Sequence, residues 1–183
     1  SDANVAKILS LEPHLVGFST TTSGFLDAYQ IARKIREARP TVKNVFGGIH
    51  VSGVGAQLME RFPEIDYLVL GEGEVTLLEL VQGQSPRTIE GLVWRDGEEV
   101  VANPFRGLIR DLDSLPFPAY QKLQGFPRRY HLPPFSYVRT PGTALSTSRG
   151  CVYECSYCDR SVFKKGFRSN SAEYTYEHIK YLR

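Results

Sequence analysis

The chain has 183 residues, 42% apolar and 23% charged, a balance ordinary for a folded globular protein and wrong for a disordered one. Its net charge of +2 is too small to point to nucleic acid or an anionic membrane surface, and its longest apolar runs, such as Tyr67–Leu70, fall far short of a membrane span. No basic-then-apolar leader opens the sequence, and cysteines confined to one cluster suit a reducing cytoplasm.

Val5–Leu11 reads as the end of a helix stopped by Pro13, and Leu15–Ser19 as a buried strand. A helix is predicted over Gly24–Arg39. Phe25, Ala28, Ile31, Ala32 and Ile35 recur there at helical spacing, opposite Arg33, Lys34, Arg36 and Glu37, and Pro40 ends the run. A second strand follows at Val42–Phe46, a short helix at Val54–Phe62, a third strand at Tyr67–Leu70 and another helix at Glu74–Val81. Apolar strands alternating with helices predict an α/β domain over residues 1–84, built on a parallel sheet covered on both faces. Three strands are few for such a sheet and the pattern opens inside a helix, so a strand–helix portion is expected before residue 1.

Beyond Gln84 the texture changes. Ile89–Arg95 and Glu98–Ala102 flank Asp96-Gly97, a hairpin signal. The stretch that follows carries Pro116, Pro118, Pro133 and Pro134, too many prolines for regular elements. Phe105, Leu108, Leu112, Leu115, Phe117 and Tyr120 make it too apolar for a free linker. Residues 85–141 therefore read as a hairpin and an ordered connector. Within residues 142–183, Thr143–Thr147 reads as a strand running into a cysteine-bearing loop, and Ser171 as the cap of a helix with Tyr176, Ile179 and Leu182 on its apolar side. One strand–loop–helix unit cannot bury its own face, so the chain is expected to be a fragment.

Cys151, Cys155 and Cys158 are the only cysteines, spaced C-x3-C-x2-C. A disulfide framework uses even numbers spread over a fold, whereas three thiols in one loop converge on one metal centre. A closed zinc site or a standard iron–sulfur cluster takes four protein ligands, so one position is left open here. Either a histidine fills it, His131 or His178, giving a structural zinc site, or a four-iron cluster keeps one iron for a small molecule bearing an amine and a carboxylate. Gly150 permits a sharp turn before Cys151, and Tyr157 offers an aromatic face beside Cys158.

Upstream, each of the three strands ends in a polar or glycine-rich loop. The run Ser19, Thr20, Thr21, Thr22, Ser23, Gly24 precedes a helix whose N-terminus suits a phosphate or a polar nucleotide tail. Gly47, Gly48 and His50 follow the second strand, where glycines allow close approach of a ligand, and Gly71, Glu72, Gly73 and Glu74 follow the third. A parallel sheet places all three loops on one edge. His14 and His178 read as surface residues, and Lys164, Lys165 and Arg168 as a solvated face.

Ser148-Arg149-Gly150-Cys151, Cys155 and Tyr157-Cys158 resemble the signature of the radical S-adenosylmethionine enzymes, and the trailing Ser161-Val162-Phe163 and Phe167-Arg168 resemble the branch with an N-terminal cobalamin-binding domain. The resemblance implies a partial Rossmann-like cobalamin domain, a connector, and the first β-loop-α unit of a partial TIM barrel. It implies three cofactors: a 4Fe–4S cluster on Cys151, Cys155 and Cys158, S-adenosylmethionine on the remaining iron with Tyr157 near its adenine, and cobalamin. Ser19, Thr21 and Thr22, then Gly47 and Gly48, would surround the cobalamin tail, with Gly71, Glu72 and Gly73 along the corrin edge. His50 would hydrogen-bond loop backbone or the nucleotide tail rather than ligate cobalt. The implied activity is methyl transfer to an unactivated carbon of a small-molecule or natural-product substrate, fed by an electron donor such as flavodoxin or ferredoxin. Ring formation or rearrangement, and a non-catalytic cobalamin-binding module with a structural metal loop, are the alternatives.

Overall fold

The structure is a computed structural model that describes residues 2–130, 132–133 and 142–183. His131 and Pro134, and with them part of the proline-rich connector, lie outside the described residues. The chain divides into two compact units, Ser1–Leu108 with Cys155–Lys164, and Ile109–Glu154 with Lys165–Arg183.

The first unit runs α1 (Asp2–Leu9), β1 (Leu15–Ser19), α2 (Phe25–Ala38), β2 (Lys43–Gly47), α3 (Ile49–Val54), α4 (Gln57–Arg61), β3 (Tyr67–Val69), α5 (Glu74–Val81), β4 (Leu92–Asp96) and β5 (Glu99–Ala102). The strands form one sheet in sequence order. β1–β2 and β2–β3 are parallel, with Ser19 opposite Gly47 and Phe46 opposite Leu68, while β3–β4 and β4–β5 are antiparallel. The α/β class expected from periodicity is present, on a sheet of five strands rather than three. The hairpin assigned to the connector extends it, because Leu92 and Val93 continue the apolar faces of Val69 and Leu68 across the β3–β4 register. The hairpin turn sits one residue later than the Asp96-Gly97 signal. Asp96 pairs with Glu99, and Gly97 takes the positive φ of the first central position, as a type II′ turn needs.

Period-two alternation sorts the core onto two faces. Phe46, Leu68 and Val93 point to one side, where Phe25, Ala32, Val51, Leu58 and Met59 of the helices cover them. Val45, Val69, Leu92 and Trp94 point to the other. The expected α2 stripe is the buried one: Phe25, Ala32 and Ile35 are inside. Asn44, fully buried in β2, ties sheet to helix by donating to the carbonyls of Ala32 at 3.2 Å and Glu64 at 3.1 Å. The helix expected over Val54–Phe62 is the shorter α4, and an unanticipated helix, α3, precedes it and ends at Gly55, whose φ is +75°.

The second unit contains β6 (Ser148–Cys151), β7 (Gly166–Ser169) and α6 (Ala172–Leu182). Three corrections arise here. First, the strand lies at Ser148–Cys151, not Thr143–Thr147. Second, β7 pairs antiparallel with β6, so the expected strand–loop–helix is a strand–loop–strand–helix in which Cys151 faces Gly166. A Cβ at Gly150 would lie 2.1 Å from the Gly166 carbonyl oxygen, so this glycine serves a close backbone approach as well as a turn. Third, His178 is buried, not at the surface, and α6 turns Tyr174 and His178 inward while Tyr176 and Ile179 stay exposed. The connector decides this: Phe117 stacks flat on His178 at 4.6 Å and meets Tyr174 edge-on at 4.8 Å. Ser171 caps α6 as expected, accepting from the Tyr174 N–H at 3.0 Å.

Candidate functional site

Because β1, β2 and β3 run parallel, their C-terminal ends open on one edge of the first unit's sheet. A cavity of about 490 Å³ lies there, and Ser19, Gly47, Gly48, Gly71 and Gly73 line it over a floor that includes Phe46. Glu74 and Leu77 of α5 complete one wall. Thr21, Thr22, His50 and Glu72 are not part of the lining. Glu72 is buried, while Thr21 and Thr22 are exposed.

Protein–protein hydrogen bonds lace the loops together. The buried Thr20 donates its N–H to the Gly47 carbonyl at 2.9 Å, and its own carbonyl accepts from the His50 N–H at 3.3 Å. Gly48 has φ +96°, and an added Cβ would lie 2.7 Å from the Thr20 carbonyl oxygen. Its lack of a side chain is therefore demanded by the neighbouring loop, beyond any need to admit a ligand. His50 Nδ1 lies 3.2 Å from Thr22 Oγ1 and its ring lies 4.6 Å from that of Phe25, so the imidazole is engaged by the first loop.

Sequence reading passed over two residues here. Ser52 joins the second and third loops: its hydroxyl donates to the Gly48 carbonyl at 3.0 Å and accepts from the Gly71 N–H at 3.0 Å. A serine early in a helix, four residues after a glycine, is a usable signal for the first bond. Nothing local announces the second. Phe105 lies over the third loop, where a Cβ on Gly71 would come within 2.6 Å of its Cζ.

Of the cysteines, Cys151 ends β6 and is exposed, Cys155 is half-buried, and Cys158 is exposed. Cys155 and Cys158 form a short turn, with the Cys158 N–H donating to the Cys155 carbonyl at 3.1 Å. The Tyr153 N–H points at Cys151 Sγ at 3.5 Å. Tyr157 is 90% exposed, so its ring is uncovered by protein. Among the described residues, no three His, Cys, Asp or Glu side chains are drawn together as a ready metal site. His178, one of the two candidate zinc ligands, is enclosed by Phe117, Tyr120 and Tyr174, and burial pushes its pKa below the ordinary value.

The residues fit the implied groups by different tests. At the sheet edge the fit is one of shape: a concave wall to which Gly47, Gly48, Gly71 and Gly73 contribute bare backbone. In the cysteine loop it is one of donor chemistry, since three soft thiolates select iron–sulfur clusters or zinc over hard cations. Lys164 and Lys165 are exposed, as expected of a solvated face, with the Lys164 ammonium 4.4 Å from the Phe105 ring centroid and Lys165 paired with Glu154. Arg168 departs from that expectation, being half-buried and donating to the Ile109 carbonyl.

Residues 1–81 match the B12 binding domain family. An uncharacterized methyltransferase of Pyrococcus horikoshii is 34% identical over 98% of this chain and 39% of its own length. The anaerobic magnesium-protoporphyrin IX monomethyl ester cyclase of Cereibacter sphaeroides is 29% identical over 96% of this chain and 29% of its own. Among solved structures, the radical S-adenosylmethionine methyltransferase TsrM from Kitasatospora setae, with cobalamin and a 4Fe–4S cluster bound, superposes with a TM-score of 0.60 at 25% identity, covering 93% of this chain and 35% of TsrM. The chain thus spans well under half the length of these proteins. Residues 1–81 therefore resemble a B12 binding domain, and over nearly its whole length the chain is similar to a methyltransferase and to a radical S-adenosylmethionine methyltransferase that binds cobalamin and a 4Fe–4S cluster.

Proposed function

We propose that this chain is the cobalamin-binding and cluster-binding portion of a radical S-adenosylmethionine methyltransferase acting on an unactivated carbon of a small-molecule substrate. The reading rests chiefly on one observation. The glycine-lined cavity at the C-terminal ends of β1, β2 and β3 lies in the same compact unit as Cys155 and Cys158. When bound, the cluster supplies the electron that cleaves S-adenosylmethionine to methionine and a 5′-deoxyadenosyl radical, and cobalamin carries the methyl group.

The protein's own part is to bind, orient and exclude water. Cys151, Cys155 and Cys158 supply three thiolates and leave one iron for the amine and carboxylate of S-adenosylmethionine, with Tyr157 beside the adenine. Ser19, Gly47, Gly48, Gly71 and Gly73 receive the corrinoid along the sheet edge. Thr21, Thr22 and His50 form the polar flank for its nucleotide tail, and Glu72 sits buried in the third loop behind the corrin edge. The division of labour is a cobalamin domain that extends past the expected 1–84 to take in the β4–β5 hairpin, a connector from there to residue 141 and the start of a barrel over 142–183, with flavodoxin or ferredoxin as electron donor. Ring formation is the second reading, favoured by the similarity to the magnesium-protoporphyrin cyclase.

Anaerobic reconstitution with iron and sulfide, followed by electron paramagnetic resonance with and without S-adenosylmethionine, tests this. A reduced-cluster signal that shifts on adding S-adenosylmethionine is expected. Cys155→Ala should abolish the signal while hydroxocobalamin binding survives. One zinc and no iron by metal analysis would sink the reading.

A further inference from the structure

Cys155–Lys164 belongs to the compact unit that holds the cavity, although the strands flanking it in sequence, β6 and β7, belong to the other. Two side chains fasten this segment. Ser161 lies against α3, where a Cβ on Gly53 would come 3.8 Å from Ser161 Oγ, and that hydroxyl reaches the Ile49 carbonyl at 3.4 Å. Asp159 sets the serine in place, accepting from the Ser161 N–H at 2.8 Å and from Ser161 Oγ at 3.1 Å, so the one hydroxyl proton is shared between two acceptors. The turn closes with the Lys164 N–H on the Arg160 carbonyl at 3.0 Å, and Lys164 then takes a positive φ of 52°. There its ammonium lies over Phe105, whose ring covers Gly71.

Both anchors land just behind the cavity rim: Ile49 directly follows Gly48 and Phe105 covers Gly71, and Gly48 and Gly71 are the residues that line the cavity. We propose that Cys155–Lys164 is a strap fastened to this rim, and that Ser161 and Lys164 are positioning residues that couple the placement of Cys155 and Cys158 to occupancy of the cavity. Asp159 holds Ser161 in register for its contact. The strap stands on contacts within the protein; that the occupant is a corrinoid rests on the function proposed above.

The test is the rate of iodoacetamide alkylation of each cysteine, read by mass spectrometry on the metal-free protein, with Cys151 as internal reference. In Ser161→Ala/Lys164→Met, Cys155 should react roughly fivefold faster relative to Cys151, the change expected from losing one hydrogen bond and one exposed cation–π contact. Unchanged relative rates would overturn the strap. Hydroxocobalamin added to the native protein should slow Cys155 and Cys158 further, and the double variant should lose that protection while still binding the corrinoid by equilibrium dialysis. Binding without protection in the native protein overturns the coupling and leaves the corrinoid reading intact. Failure of the native protein to bind hydroxocobalamin overturns the corrinoid reading and the coupling, and the metal-free comparison still decides the strap.

Discussion

Gly48 and Thr20 are packed so closely that a Cβ on the glycine would lie 2.7 Å from the Thr20 carbonyl oxygen and 2.8 Å from its nitrogen, at a φ of +96°. Gly48→Ala therefore meets both a backbone clash and a strained conformation. A loss of about 2 kcal/mol or more is expected. Urea denaturation followed by the fluorescence of Trp94, the chain's only tryptophan, measures it. Hydroxocobalamin affinity should fall with it, because the Thr20 and Gly47 loops share this contact. A fully stable variant would mean that the loop spacing relaxes freely.

Ser52→Ala tests the link between the second and third loops. It removes the acceptor of the Gly71 N–H, a backbone group of a buried residue, and the donor to Gly48. An unsatisfied buried donor costs about 1–3 kcal/mol. The expected result is a comparable drop in stability together with weakened corrinoid binding, read by titration of the corrinoid absorption bands. Equal stability of variant and parent would mean that water replaces the hydroxyl at no cost.

The elements legible in the sequence were those whose signal is local. The α2 stripe, the apolar β1–β3 strands and the Ser171 cap each announce themselves within a few residues, and the parallel order follows from their alternation. What escaped depends on partners far along the chain. Nothing between Ile89 and Ala102 says that Leu92 and Val93 will continue the β3 faces, and the Gly71–Ser52 bond joins loops from different strands. His178 shows the same limit. By helical position it could face either way, and it is Phe117, within the proline-rich connector, that turns it inward. The glycines were visible as loop signals, but the reason for Gly48 was not, since Thr20 crowds it from the preceding loop.

Gly150→Ala separates hairpin geometry from thiol chemistry. All three cysteines remain, but a Cβ would lie 2.1 Å from the Gly166 carbonyl oxygen at a φ of +83°, so β6 and β7 must part. The variant should assemble cluster poorly, with an iron-to-protein ratio near that of Cys155→Ala. Amide exchange of Asn170, whose N–H donates to the Thr147 carbonyl at 2.9 Å next to the hairpin, should rise at the same time. Full cluster content in this variant would show that the hairpin has no part in presenting Cys151.

His178 makes the second unit sensitive to acid. Its ring is buried, stacked on Phe117 and flanked by Tyr120 and Tyr174, and its Nε2 has no hydrogen-bond partner among the described residues. Burial disfavours the imidazolium, so the folded pKa lies below the ordinary 6.5. The unfolded chain then takes up a proton first as pH falls through that value. Stability is complete above it and declines below it, with a slope of at most about 1.4 kcal/mol per pH unit, down to the folded pKa. His178→Phe keeps the stack and removes the titration. Hydrogen exchange of the α6 amides between pH 7.5 and 5.5, corrected for intrinsic exchange chemistry, should show the parent losing protection and the variant keeping it. The same acid slope in both would assign the sensitivity to another group.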